Sequence, residues 1–289
     1  MNRLMTVVTV VALLLVSTAA FAQYTTTVLA EGIALVPARQ MGMGGVGVAA
    51  ADDAGAINYN PANLASLNIG PPAGQYDPYT QPWNWQIAGT AEIGGDLDFW
   101  AAHLAGNNPQ SNWGVGASYQ SISPASSYDW WLVGVGARLG GSNWQWGVSV
   151  MDGDLYSGET TFNAGLLYTQ QLPAGAPLRV GLTVEDVTGE FSVGPFINVG
   201  VAYPLRLSGD QQLLLAADLL DATDENYSMV NVGVEFQPRA NWAIRAGLID
   251  TDSATAGLGY NAGSWRVDVA WQESYSDDEI VATCSYVLK

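Results

Sequence analysis

The 289-residue chain has little of what most enzymes and nucleic-acid-binding proteins use. It contains one cysteine (Cys284), one histidine (His103) and nine Lys and Arg residues against 27 Asp and Glu, for a net charge of −18. A single cysteine excludes an internal disulfide. One histidine, with no G-x-S-x-G or H-E-x-x-H motif, leaves no nucleophile–base pair. Phosphate binding needs basic side chains, so nucleic acid is excluded as a partner. We expect no enzymatic activity and no cofactor.

Long apolar runs are missing after the first 22 residues, so no transmembrane helix is expected beyond them. Those residues have a basic start (Arg3), an apolar run (Val7 to Val16) and Ala20-Phe21-Ala22 before Gln23. This order is typical of a secretory signal peptide cleaved after Ala22. We therefore predict a signal peptide over residues 1–22 and an exported mature chain.

From about residue 84 onward, large apolar residues alternate with small or polar ones, as in Trp113-Gly-Val-Gly-Ala-Ser-Tyr119 and Trp265-Arg-Val-Asp-Val-Ala-Trp271. A period of two indicates β-strands with one face in an apolar medium. An even number of strands puts both ends of a barrel on the same side. We predict fourteen strands, at 84–94, 96–105, 112–121, 129–139, 143–151, 159–171, 177–186, 195–204, 210–220, 228–237, 241–249, 253–261, 264–273 and 279–288.

The apolar medium is either lipid or the core of a secreted β-sandwich, and three features favour lipid. Only 12% of residues are charged, against about 25% in soluble domains. Trp and Tyr stand at the ends of the apolar faces, as in the aromatic girdles of membrane barrels. The opposite face of the strands is small, with repeated Gly and Ser, yet carries charges such as Arg245 and Asp268, as a packed lumen does and a solvated sandwich face does not. Acidic residues gather in every second connection, whereas the other connections hold Arg206 and Arg239, which supports an orientation with the acidic connections outside. The predicted fold is an all-β, 14-stranded antiparallel transmembrane β-barrel with both termini periplasmic.

Residues 38–65 are rich in Gly and Ala and lie between the leader and the strands. Small residues let backbone approach backbone closely, so this stretch is predicted to pack inside the barrel. Gly42-Met-Gly-Gly-Val-Gly47 matches the dinucleotide fingerprint, but Pro37 interrupts the strand that this motif requires. Asn60-Pro61 is predicted to start a short helix, with Asn60 as its cap.

The same stretch resembles the FadL-like outer-membrane proteins, including their small PorV-like members. The resemblance lies in Ala38-Arg39, Met41-Gly-Met-Gly-Gly45, Ala51-Asp-Asp53 and Tyr59-Asn-Pro-Ala-Asn-Leu-Ala65. It implies an N-terminal hatch, residues 23–82, inside a barrel formed by residues 83–289. Transporters of this family pass fatty acids or aromatic hydrocarbons through a lateral opening, whereas PorV-like members serve protein secretion to the cell surface. This chain departs from the transporters in its short outer connections.

These patterns give three sets of candidate residues. The hatch and gating candidates are Met41, Met43, Gly44, Gly45, Asn60 and Pro61. The polar lumen candidates are Glu235, Arg245, Arg266 and Asp268, which are expected either to bind a polar head group or to pair with one another, Glu235 with Arg245 diagonally. Asp152, Asp154, Asp250 and Asp252 form an acidic rim that is a secondary candidate for Ca²⁺. Cys284 is expected to face lipid, and His103 to lack a partner for metal or acid–base work.

The favoured function is passive transport of small hydrophobic compounds across the outer membrane. The alternatives are a PorV-like accessory role in protein secretion or surface attachment, and a structural barrel without transport. The expected partners are outer-membrane lipids, with a small hydrophobic ligand or secretion-system and surface proteins according to which function holds.

Overall fold

A computed structural model describes residues 37–68, 83–93, 98–108, 110–123, 128–153, 160–172, 176–188, 195–207, 209–222, 228–250, 252–273 and 278–288. The predicted signal peptide, and the parts of the predicted hatch at 23–36 and 69–82, lie outside these ranges. Within them, no helix is both long and apolar enough to cross a membrane.

The strands form one closed antiparallel barrel in which each strand pairs with its neighbours in sequence and β1 pairs with β14. The prediction of fourteen strands is confirmed, and every predicted end lies within about three residues of the observed one. The strands are β1 Asn84–Glu92, β2 Asp98–Asn108, β3 Trp113–Ser123, β4 Tyr128–Arg138, β5 Trp144–Gly153, β6 Thr161–Gln171, β7 Pro177–Glu185, β8 Phe196–Arg206, β9 Gln212–Leu220, β10 Met229–Arg239, β11 Trp242–Ile249, β12 Ser253–Ala262, β13 Trp265–Gln272 and β14 Glu279–Leu288.

The two faces of the barrel wall differ in chemistry as the alternation predicts. Outward side chains are large and apolar, and many are exposed, such as Val133 (52%), Ile244 (51%) and Leu258 (55%). Inward side chains are small or polar and are mostly buried, for example Gln120, Ser149 and Thr183. Because side chains alternate along a strand, this division fixes the register of every pair.

Residues 37–68, here called the inner segment, contain helix α1 (Ala38–Met41) and two 3₁₀ helices, Ala54–Asn58 and Pro61–Ser66. Helix α1 packs on β12 to β14, and the 3₁₀ helices pack on β1 to β6. Val48 lies against β7 and β8, Asp218 of β9 accepts a hydrogen bond from Gly47, and Met43 and Gly44 lie against β10 and β11. A segment that contacts all fourteen strands of a closed ring lies within it; its role as a hatch stays a prediction.

The same hydrogen-bonded arrangement occurs at three strand ends at one mouth of the barrel. In each, the Oδ1 atom of an inward Asn accepts from the backbone N–H of an Asp that follows a neighbouring strand, at 2.9–3.1 Å. Each Asp has a positive φ, between +46° and +52°. Asp tolerates this left-handed conformation better than most residues, for which it costs about 1–2 kcal/mol. The pairs are Asn163–Asp186, Asn198–Asp221 and Asn231–Asp250.

Replacing Asp250 tests this turn. Asp250→Gly is expected to keep the stability of the barrel, whereas Asp250→Val is expected to lower its free energy of unfolding by about 1–2 kcal/mol because a β-branched residue disfavours positive φ. Urea unfolding in detergent micelles, followed by tryptophan fluorescence, measures the difference. Equal midpoints for the two variants would contradict the role of the turn.

Candidate functional site

The candidate site is the surface between the inner segment and the wall. Four large side chains of the segment, Met41, Met43, Val46 and Leu64, have no exposed area at all. Many of the wall residues that face the segment are glycines. We call nine of them the glycine belt: Gly114, Gly136, Gly147, Gly165, Gly181, Gly200, Gly233, Gly247 and Gly257.

The belt runs from strand to strand at matching positions. Gly136 pairs with Gly114 on one side and with Gly147 on the other, and Gly233 pairs with Gly247. A Cβ atom on Gly136 would lie 2.5 Å from the carbonyl oxygen of Pro61, closer than real Cβ contacts come. The wall therefore has room for the inner segment only because these positions lack a side chain.

Polar side chains of the wall satisfy the backbone of the inner segment. Thr283 Oγ1 accepts from the N–H of Ala38 (2.8 Å), and Thr255 Oγ1 from that of Gly44 (2.9 Å). Asp218 Oδ2 accepts from two successive N–H groups, those of Gly47 (2.6 Å) and Val48 (3.0 Å). The turns and short helices of the segment pair many of its backbone groups with one another, and these wall side chains give further buried backbone N–H groups their partners.

An ion-pair network joins the segment to strands β10, β11 and β13. Glu235 Oε2 contacts Arg39 Nε at 3.0 Å and Arg245 Nε at 2.6 Å. Asp268 contacts Arg245 Nη2 at 2.8 Å and Arg266 Nε at 2.7 Å. The side chains of Glu235 and Arg245 are at most 2% exposed, whereas that of Arg266 is 24% exposed.

Arg39 is the link between this network and the inner segment. Its guanidinium also pairs with Asp52 and, at 3.5 Å, with Asp53. Burial alone lowers the pKa of Arg39, but the carboxylates of Asp52, Glu235 and Asp53 outweigh burial and hold that pKa well above its ordinary value. The guanidinium is therefore charged at every physiological pH, so the ion pairs of Arg39 do not change through deprotonation of that group.

The six hatch candidates all lie in the inner segment. Gly44 and Gly45 form a tight turn with φ near +75°, which other residues adopt only with strain. Asn60 caps the second 3₁₀ helix by accepting from the N–H of Ala62, and Pro61 is its first residue. The Asn60 Nδ2 atom also donates to the carbonyl oxygen of Leu166 on β6 at 3.1 Å, so this cap fastens the segment to the wall.

The structure brings the four polar lumen candidates together and corrects one detail. Glu235 and Arg245 stand directly opposite each other in the register, not diagonally, because the irregularity in β10 lies after Phe236. The sequence reasoning missed Arg39, Asp52 and Asp53 as members of the network. All three stand in the stretch that carries the family resemblance, and a lone Arg in a segment of small residues is the signal that points to them.

The remaining candidates behave differently. His103 makes structural hydrogen bonds, its Nδ1 lying 2.9 Å from Ser118 Oγ and 3.4 Å from Asn58 Nδ2. Cys284 is exposed on the outward face of β14. Asp154 lies outside the described residues, and among those described no three His, Cys, Asp or Glu residues gather as a metal site. Ca²⁺ binding by Asp152, Asp250 and Asp252 is not supported by such a cluster and stays a prediction.

No protein-family model and no curated protein matches this chain. Similar solved structures do exist. The toluene transporter TodX of P. putida is 10% identical, with a TM-score of 0.52 over 88% of this chain and 98% of that one. Omp33, an outer-membrane protein of Acinetobacter baumannii, is 12% identical, with a TM-score of 0.50 over 72% of this chain and all of that one. The chain shares their barrel fold. At such identities the likeness concerns the fold alone.

Removing the charge of Glu235 tests the network. Glu235→Gln leaves Arg39 and Arg245 buried without their shared carboxylate, and we expect a loss of about 3–5 kcal/mol in the free energy of unfolding. Arg266→Gln is the matched control and is expected to cost less, because Arg266 is partly exposed and Asp268 keeps Arg245. Urea unfolding measures both, and equal losses would show that Glu235 is not the centre of the network.

Filling the glycine belt tests how the inner segment is held. Gly147→Val puts a side chain against Pro61 and Ala62, whereas Gly89→Val is the control because a Cβ there meets nothing within 4 Å. Overpacking costs about 1–3 kcal/mol, so exposure of Ala62 is expected to rise about tenfold to a hundredfold. Maleimide labelling of Ala62→Cys, in a Cys284→Ser background, measures that exposure. Equal labelling rates in the Gly147→Val and Gly89→Val proteins would contradict tight packing.

Proposed function

We propose that this chain is an outer-membrane β-barrel through which small hydrophobic compounds pass, and that the inner segment is the hatch that controls their passage. The observation that carries the proposal is an apolar outer wall around a lumen in which the described residues place the inner segment, held to the wall by hydrogen bonds, ion pairs and packing. No chemical step is required of the protein, in line with the expectation that it is not an enzyme.

The membrane setting is supported by the outward face of the barrel. Large apolar side chains are exposed on strands all round the wall, an amount that a water-soluble surface rarely carries. Aromatic pairs stand where the strands meet the short turns: Trp144 with Tyr168, Trp242 with Tyr260 and Trp265 with Tyr286, at centroid distances of 4.6–4.7 Å. Such rings mark the level of lipid head groups.

The connections support an orientation. One end of the barrel has the two-residue turns 240–241 and 263–264, and the strands β4, β8 and β10 end there on Arg138, Arg206 and Arg239. Short turns face the periplasm in bacterial barrels. We therefore propose that this end and both termini are periplasmic and that the acidic connections face outward.

Transport is favoured by the way the inner segment is attached. A buried ion-pair network contributes little net stability compared with an apolar core, because desolvation offsets attraction, and in some proteins such networks fix a register or a switch. The ion pairs of Glu235 with Arg39 and Arg245 define one bound position of the segment, and they can also break when the segment moves. TodX, which has the same fold, is described as a toluene transporter, so apolar compounds of that size are the proposed cargo.

A second candidate function follows from the glycine belt. Packing at van der Waals distance against the wall, on every described strand from β3 to β8, suits a permanently closed barrel. Such a barrel acts through protein contacts, as a secretion or surface-attachment partner, or serves a structural role. The two candidates differ in whether the inner segment has to move.

A reversible disulfide between the inner segment and the wall separates them. A Cβ on Gly116 lies 3.4 Å from the Cβ of Ile57, near the 3.5–4.5 Å that a disulfide spans. The double variant Ile57→Cys/Gly116→Cys, in a Cys284→Ser background, is expected to block uptake of labelled toluene and of a labelled fatty acid when oxidised and to restore it on reduction. Cells that lack the protein give the baseline, and each single variant is the control for redox treatment.

Each outcome has one meaning. Uptake that falls on oxidation and recovers on reduction supports the hatch. Uptake equal in cells with and without the protein removes transport and leaves the closed barrel. Uptake that exceeds the baseline but ignores the disulfide keeps transport and removes the hatch.

A further inference from the structure

A concave surface of about 630 Å³ lies on the outer wall, across the seam where β1 closes on β14. It is within the range of about 300–1,000 Å³ typical of small-molecule sites. We call it the seam groove and define its floor by Gly89, Ala102 and Cys284, which stand side by side in the register of β14, β1 and β2. These three side chains are small and point outward, so the wall is hollow there.

Large aromatic residues form both side walls of the seam groove. Tyr119 and Trp131, on β3 and β4, continue the row of the floor on one side. Trp265 and Tyr286 pack together at 4.6 Å on the other side. A Cβ on Gly89 meets nothing within 4 Å, which shows that the floor is open and not covered by these rings.

The chemistry of the lining selects an apolar occupant. Among the described residues that line the seam groove there is no Asp, Glu, Lys or Arg. The ring of His103 points away from it, into the barrel, where its Nδ1 meets Ser118. The groove is continuous with the apolar outward face, so whatever medium surrounds that face also reaches the groove.

Its shape argues against a second copy of the chain. A two-fold contact whose axis runs through the groove would place it against the same groove of the partner. Two hollows facing each other would leave the side chains on both floors without contacts, which forfeits dispersion energy. A flexible hydrocarbon chain, by contrast, follows a hollow between protruding rings and exposes only its head group.

We propose that the seam groove holds the acyl chain of a membrane lipid at a preferred site, with the aromatic side walls fixing the chain against the β1–β14 seam. This proposal rests on the membrane setting given under Proposed function but not on transport or on the hatch. It predicts that lipid contact is concentrated at Gly89, Ala102 and Cys284 and is not uniform round the barrel.

A photoactivatable phospholipid tests this. The full-length protein is reconstituted in phosphatidylcholine vesicles that contain a small fraction of lipid with a diazirine in its acyl chain, and crosslinked peptides are mapped by mass spectrometry. Crosslinks are expected to be several times denser on the seam groove than on the outward face of β11 and β12. Gly89→Leu fills the groove without a clash and should remove the excess, whereas Ala246→Leu, outward on β11, should leave it.

The outcomes are distinct. Uniform labelling of all outward faces, or an excess that survives Gly89→Leu, would overturn the preferred site while leaving the membrane setting intact. Labelling of every outward face except the seam groove would overturn the proposal in favour of a second copy that covers the groove. Absence of acyl labelling from every outward face would contradict the membrane setting itself.

Discussion

Close packing of backbone against backbone is the constraint on which the rest of this structure depends. The inner segment has only short helices joined by irregular stretches, so it lies inside the barrel only where the wall offers both room and hydrogen-bond partners. The glycine belt gives the room, and Thr283, Thr255 and Asp218 accept the hydrogen bonds. A chain with ordinary inward side chains would either exclude the segment or need a wider barrel.

The same constraint explains why the two faces of each strand differ in the size of their side chains. The inward face has to stay small or polar where the segment lies, so the large apolar residues stand on the outward face. Inside the barrel the charges of the network pair with one another, since Arg39 and Arg245 share Glu235, and Asp268 joins Arg245 to Arg266. Asp218 instead accepts from two backbone N–H groups of the inner segment. The network lies on β10, β11 and β13, so this side of the lumen holds the segment by charge as well as by close packing, whereas β3 to β8 hold it by close packing.

Much of the fold could be predicted from the sequence because alternation is a local property. Strands such as Trp113–Ser123 and Trp265–Gln272 can be recognised from large side chains that recur two positions apart. The network could be predicted only in part, since Glu235 and Arg245 are close in sequence whereas Arg39 reaches Glu235 across 196 positions. The alternation predicts that glycines share one face of each strand. The contacts of these glycines with Pro61 or Met43 depend on the register between strands, which no local sequence pattern determines. The seam groove is of the same kind, because Gly89 and Cys284 become neighbours only when the barrel closes.

The central claim is that the barrel wall separates lipid from a lumen filled by the inner segment. Spin labels at the outward positions 254, 256 and 258 of β12, one per variant in a Cys284→Ser background, test the lipid side of this claim in native-like bilayers without disturbing the packed inward face. The account predicts strong relaxation by oxygen, which concentrates in lipid, and weak relaxation by a water-soluble nickel reagent at all three positions. Strong relaxation by the nickel reagent at these positions would contradict it.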